Sequence, residues 1–135
     1  MRKLVLPAAV AAVAVAVGVP IGLASTSSRA TVGVSEKEFK MTPSTKSVKA
    51  GSVTFKIKNV GLLDHTFAIV KTSLPAGKLP VKNNRVTLKP IKDVGPFKPG
   101  KGGTLTLSLK PGKYVLYCNI KAHYKSGQHV AFTVT

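Results

Sequence analysis

The sequence predicts an all-β domain, an antiparallel sandwich or barrel, behind a short apolar leader. Three observations carry this reading. Short runs alternate: Val53, Phe55 and Ile57 interleave with Thr54, Lys56 and Lys58, and Leu105, Leu107 and Leu109 interleave with Thr104, Thr106 and Ser108. A period of two buries one face of a strand and exposes the other. Turn signals separate the runs, most clearly Lys110-Pro111-Gly112-Lys113. No stretch after residue 30 keeps a helical period, and evenly spaced short strands with turns between them describe a sandwich or barrel.

The chain opens with Met1-Arg2-Lys3 and an uncharged apolar run from Leu4 to Ala24. A basic start, an apolar middle and small residues at Gly22-Leu23-Ala24 read as a secretory signal over residues 1–24, with cleavage as late as residue 30, after Ser28-Arg29-Ala30. The alternative is an uncleaved anchor, because the run matches the ~20 residues that span a bilayer. Residues 4–24 would then hold the domain at a membrane. Either way the rest is expected to be exported: periplasmic, in the cell envelope or extracellular. The domain itself is expected over residues 31–135. Thr31–Val34 and Phe39–Met41 are short candidate strands, followed by 52–60, 65–71, 103–109, 114–118 and 129–135. Residues 72–100 are rich in proline and lysine and do not alternate. They read as a surface excursion, with 83–91 a candidate edge strand because proline and lysine suit edges.

Twenty-one Lys and Arg stand against Glu36, Glu38, Asp64 and Asp93, a formal charge of +17. Such a field favours an anionic partner: an acidic protein, anionic lipid or cell-wall polymer. Export and the lack of a nucleic-acid motif argue against nucleic acid. The single cysteine, Cys118, cannot form an internal disulfide. An odd cysteine in an exported chain is either an intermolecular link or a thiol with a task.

The soft donors available are Cys118, His65, His123, His129, Met1 and Met41. Cys118 closes the penultimate strand in "YVLYCNIKAHYKSGQH", His123 lies in the loop beyond it, and Gln128 stands where that loop re-enters the last strand. His65 begins a strand in mid-chain. Two imidazoles, one thiolate and a weak oxygen donor have the composition of a blue-copper centre. Each residue also has a plainer reading: Cys118 as a small buried hydrophobe, His65 as a surface histidine beside Asp64. Alternation turns His129 to the face opposite Gln128, and Met41 reads as core.

"NVGLLDHTF" (59–67) taken with "YVLYCNIKAHYKSGQHVAFTV" (114–134) resembles the cupredoxins, the plastocyanin- and azurin-like type 1 copper proteins, over residues 31–135. The specific part is Cys-x4-His-x4-(Met/Gln) before a final alternating strand, with Asn-x-Gly and a histidine upstream. The resemblance implies a Greek-key sandwich holding one type 1 copper ion. His65, Cys118 and His123 would be its equatorial ligands, with Gln128 in the axial position, where methionine is commoner. Asn59, Thr66 and Asn119 would support them. Many members pair an asparagine after the first histidine with a Ser or Thr after the cysteine; here Thr66 and Asn119 exchange those types, and a bond between their side chains is expected. Lys121-Ala122 replaces the usual Pro-Gly before the loop histidine. The loop histidine is implied to be the electron port, in an apolar patch of Leu62, Leu63 and Ala122. Lys121 and Lys125 would steer an acidic redox partner, or belong only to a surface that carries lysines everywhere.

The expected function is an exported single-electron carrier, monomeric, cycling between Cu(I) and Cu(II), and not an enzyme. The alternative is a copper-binding protein for storage, delivery or sensing; a metal-free adhesion module would leave Cys118 an exposed thiol outside the cell. An amide oxygen is a harder donor than a thioether and favours Cu(II). Replacing Gln128 by Met should therefore raise the reduction potential. An unchanged or lower potential in Gln128→Met means that Gln128 is not the axial donor.

Overall fold

The computed structural model describes residues 26–135 together with positions 14, 15, 17, 18 and 22. The expected leader and its cleavage or retention as an anchor therefore lie almost wholly outside the described residues. Eleven strands follow: β1 (Ser28–Lys37), β2 (Lys40–Pro43), β3 (Ser47–Val48), β4 (Gly51–Asn59), β5 (His65–Lys71), β6 (Val81–Lys82), β7 (Arg85–Val86), β8 (Lys92–Phe97), β9 (Gly102–Leu109), β10 (Gly112–Tyr117) and β11 (His129–Val134). One 3-10 turn, Ala76–Lys78, is the only helical element among the described residues.

Alternation sets which way each strand faces. One sheet has the order β2-β1-β4-β9 and the other β3-β11-β10-β5-β8. Val32, Val34, Val53, Phe55 and Ile57 of the first sheet meet Phe67, Ile69, Leu116, Phe132 and Val134 of the second in one buried layer. Phe55 lies at its centre, with its ring 5.1 Å from that of Phe67 and 5.6 Å from that of Phe132. Tilted and edge-on pairs of this kind add to the burial of the rings themselves.

The sheets are mixed. β1 runs parallel to β4 from Ser28 opposite Gly51 to Glu36 opposite Asn59, and β3 runs parallel to β11. The other pairs are antiparallel. Parallel neighbours need a crossover, and β2 and β3 supply it by carrying the chain to the second sheet and back. A sequence reports the face of each strand through its period but not its direction. β1 also starts at Ser28, so cleavage after residue 30 would remove the rungs made by Ser28, Arg29 and Ala30.

Residues 72–100 are more than an excursion. The edge strand is β8, downstream of the expected 83–91, and its Lys92 and Pro96 suit an edge. Upstream, β6 and β7 form a hairpin turned by Asn83 and Asn84, at φ of 52° and 59°. Two left-handed residues make the tight turn that matches strand twist, and asparagine tolerates that conformation. Leu79 and Val86 then cover Ala68, Val70, Val115 and Tyr117 on the outer face of the second sheet. The Tyr124 hydroxyl ties this cover down, donating to Ala76 O at 2.6 Å and accepting from Leu79 N at 2.9 Å. The central strands of this sheet are thus buried on both faces, which is why His65–Val70 reads as an almost unbroken buried run.

The inward alternation of β1 carries past Val32 and Val34 to Glu36, which is wholly buried with neither carboxyl oxygen hydrogen-bonded. Burial, and secondarily the charge of Asp93, pushes its pKa up to about 8. The folded chain therefore keeps a proton on Glu36 between its ordinary 4.5 and about 8, where the unfolded chain releases it. Stability from this group should fall as pH rises through that window, by at most about 1.4 kcal/mol per pH unit. Denaturant titrations of metal-free protein between pH 5 and 8 should give a shallower fall in Glu36→Gln than in the wild type. Parallel curves would contradict the buried, protonated carboxyl.

Candidate metal centre

The core alternation delivers the donors. His65 opens β5 on the inner face shared with Phe67 and Ile69. In β10 the inner residues are Tyr114 and Leu116, and Cys118 continues them one residue past the strand end. Tyr117 stands opposite Ala68, so Cys118 emerges beside the start of β5. The loop from 119 to 128 then returns His123 over the same point. His65 Nδ1 and His123 Nδ1 are 3.2 Å apart; Cys118 Sγ is 4.0 Å from the first and 3.5 Å from the second. All three side chains are buried, His123 the most open at 8%.

This triangle fits a metal ion. A first-row ion such as zinc sits about 2.0–2.1 Å from imidazole nitrogen and about 2.3 Å from thiolate sulfur. In a roughly trigonal arrangement those lengths put the nitrogens about 3–3.5 Å apart and each nitrogen about 3.5–4 Å from the sulfur.

The tautomer fits as well. His65 Nε2 donates to Glu38 Oε1 at 3.0 Å, which leaves the Nδ1 lone pair turned toward Cys118 and His123. Burial pushes the Cys118 thiol up, against the backbone N–H groups of Thr66 and Ile120. Burial above all pushes His123 down. Without an ion the thiol is protonated and the His123 imidazole neutral, so metal binding releases the thiol proton.

The supports differ in part from expectation. Thr66 N donates to Cys118 Sγ at 3.3 Å, and the Thr66 hydroxyl reaches the same sulfur at 3.8 Å. That hydroxyl accepts from the backbone N of Asn119 at 3.0 Å, not from its side chain. The Asn119 amide instead pairs with the backbone of Val86, accepting from its N at 2.8 Å and donating to its O at 3.3 Å. The expected side-chain bond is therefore replaced, because the open edge of β7 offers Asn119 two backbone partners. Asn59 is buried and satisfied: it donates to Leu63 O and Phe97 O, both at 2.7 Å, and accepts from Gly61 N at 2.9 Å. It holds in shape the loop that leads into His65.

Ala122 takes a left-handed φ of 70° in the place where the resemblance would put glycine. For a residue with a Cβ this costs about 1–2 kcal/mol. The β6–β7 hairpin holds it there: Ala122 N donates to Asn84 O at 2.9 Å, and Arg85 donates to Asn119 O at 2.6 Å. Within the loop, Gln128 N donates to His123 O and Cys118 N to Gln128 O, each at 3.1 Å. Gln128 is wholly buried, and neither atom of its amide has a protein partner. His129 packs on Tyr124, at a ring separation of 4.9 Å, outside the donor cluster. Met41 is core.

Above the site Leu62 is 87% exposed, and Leu63, Val60, Ala122, Lys121 and Lys125 also face solvent. Two residues at the centre escaped sequence reasoning. Glu38 bonds His65, and Phe39 lays its ring edge-on to His123 at 5.2 Å. The available signal was scarcity: in a chain with four carboxylates, the position of each one is informative.

No family model matches the sequence, and no curated protein matches it. Solved structures do. Reduced auracyanin from the photosynthetic bacterium Roseiflexus castenholzii aligns with TM-score 0.55 and 22% identity over 79% of this chain and 96% of its own. Auracyanin B aligns with TM-score 0.60 and 18% identity over 82% of this chain and 91% of its own. Rusticyanin from Thiobacillus ferrooxidans aligns with TM-score 0.58 and 18% identity over 78% of this chain and 77% of its own. The chain therefore has the all-β cupredoxin fold. At the end of that sandwich it carries a His–Cys–His cluster of the type 1 copper kind, suited to a single copper ion.

Proposed function

We propose that this protein is an exported type 1 copper electron carrier. The carrying observation is the buried triangle of His65 Nδ1, His123 Nδ1 and Cys118 Sγ, with the tautomer of His65 set from behind by Glu38. Copper bound there supplies a one-electron couple. The protein's part is to keep the donors still: each is buried and braced by its own hydrogen bonds or ring contacts, so little must move when the charge changes. The orphaned Gln128 amide supports its reading as the axial oxygen donor, since a buried polar group without a partner asks for one. Buried, braced ligands favour a carrier over delivery, which needs labile ones.

Electrons would pass through His123, the donor nearest the surface, beneath Phe39 and the exposed Leu62 and Leu63. The basic surface fits an acidic partner, with Lys121 and Lys125 on the ligand loop acting on encounter rate more than on affinity.

Titration of the purified protein with Cu(II) should give an intense red-region thiolate band that saturates at one copper and is absent in Cys118→Ser. No band, or loss of the thiol by oxidation, would sink the copper reading. For docking, oxidation by an anionic metal complex should slow as salt rises, because exposed charges are screened beyond about 10 Å at 0.1 M. Lys121→Gln with Lys125→Gln should slow it several-fold at low salt. An equal slowing from Lys46→Gln with Lys49→Gln, at the far end of the sandwich, would reduce the effect to overall charge.

A further inference from the structure

Lys37 pairs with Lys40 across the β1–β2 hairpin, so Glu38 and Phe39 form a two-residue turn held by the ladder on both sides. That turn lies on the metal centre. Glu38 Oε1 accepts three hydrogen bonds: from His65 Nε2 at 3.0 Å, Leu62 N at 2.9 Å and Leu63 N at 2.7 Å. Phe39 meets the ring of His123. Consecutive residues of one turn thus bear on both imidazoles. Room for the carboxylate is cleared by Gly61, where a Cβ would collide with the Glu38 carboxyl group. The chain commits one of only four carboxylates, against 21 cations, to this spot.

We propose that Glu38 is a positioning residue for the copper couple: it holds His65 in the tautomer that ligates through Nδ1, and its fixed negative charge behind that ligand favours the oxidised ion and lowers the reduction potential. The inference rests on reading the cluster as a copper centre. Its chemistry is that of a carboxylate paired to the far nitrogen of a metal-bound histidine, which orients the ring and raises its basicity. Cu(II) carries one more positive charge than Cu(I), so the same anion stabilises it more. The couple moves one electron, exchanged with the redox partner, and the Nε2 proton stays on His65 in both states. Phe39 closes the outer side and limits how far His123 can swing.

The test compares copper-loaded wild type, Glu38→Gln, Glu38→Ala and Asp64→Asn by visible spectrum, reduction potential and competition for Cu(II) with a chelator. Glutamine keeps an acceptor oxygen and removes the charge. Glu38→Gln should keep the thiolate band while the preference for Cu(II) over Cu(I) falls about tenfold, a rise of about 59 mV for a one-electron couple. Glu38→Ala should also lose about 10–100-fold in Cu(II) affinity. Asp64→Asn removes the same charge one residue from His65 without touching the bond, and its shift should be smaller. A potential that stays or falls in both Glu38 variants, with the band intact, overturns the proposal. So does an equal shift in Asp64→Asn, which would leave only a general field. A missing band in the wild type overturns the copper reading instead. Should Glu38→Gln fail to fold by circular dichroism, Gly61→Ala moves the carboxylate off His65 without removing its charge; a smaller rise is expected there, and an unchanged potential overturns the role of Glu38.

Discussion

Two imidazole nitrogens 3.2 Å apart and a sulfur 3.5 and 4.0 Å from them are brought together in a buried site, with the donor side of His65 set by the hydrogen bond behind it. Converging lone pairs repel one another and lose their water when buried, so the arrangement is costly unless something positive sits between them. The surrounding structure is organised around that constraint. The β5–β10 register sets His65 and Cys118 side by side. Asn59 and Gly61 shape the loop before His65, and the β6–β7 hairpin holds Ala122 and Asn119 so that His123 comes back over the site.

The few carboxylates take unlike states in a strongly basic chain. Glu38 is held down to about 2, by the backbone N–H of Leu63 above all, with Leu62 and His65 adding to it. Glu36, two residues earlier and still within β1, points into the core and is pushed the other way by burial. The end of β1 separates them: residues two apart on a strand share a face, but Glu38 lies past the strand in the turn and finds donors at the rim, whereas Glu36, within the strand, finds none among apolar side chains. A single strand end thus places a permanent anion behind a ligand and a neutral acid inside the sandwich.

The donors were readable because chemistry constrains their type and spacing together. A thiol with an imidazole five residues on, at the end of an alternating run, matches the cupredoxin pattern, and that resemblance brought in His65 at its strand start and the axial reading of Gln128; the structure brings His65, Cys118 and His123 together. The long core strands were readable through their period; the two-residue strands β3 and β6, the place of β8 and the parallel pairings of β1 with β4 and β3 with β11 were not, because short or edge strands show little period and a period carries no direction. Glu38 and Phe39 were not readable: their roles arise from a hairpin reaching across the sandwich, and nothing within the turn points to histidines 27 and 84 residues away. Asn119 was assigned the wrong partner for a related reason. Its amide was weighed against Thr66 alone, whereas the open backbone of Val86 came from a candidate edge strand whose neighbours the sequence does not give. In each case the missing knowledge was which distant backbone lies beside the residue.

The account turns on a preformed, rigid His–Cys–His centre, and X-ray absorption at the copper edge in both oxidation states tests that most directly. One sulfur and two imidazole nitrogens at short range in Cu(II) and Cu(I) alike, with nearly unchanged distances, is the predicted result. Loss of the sulfur, or a ligand set that changes on reduction, would contradict it and turn attention to copper delivery.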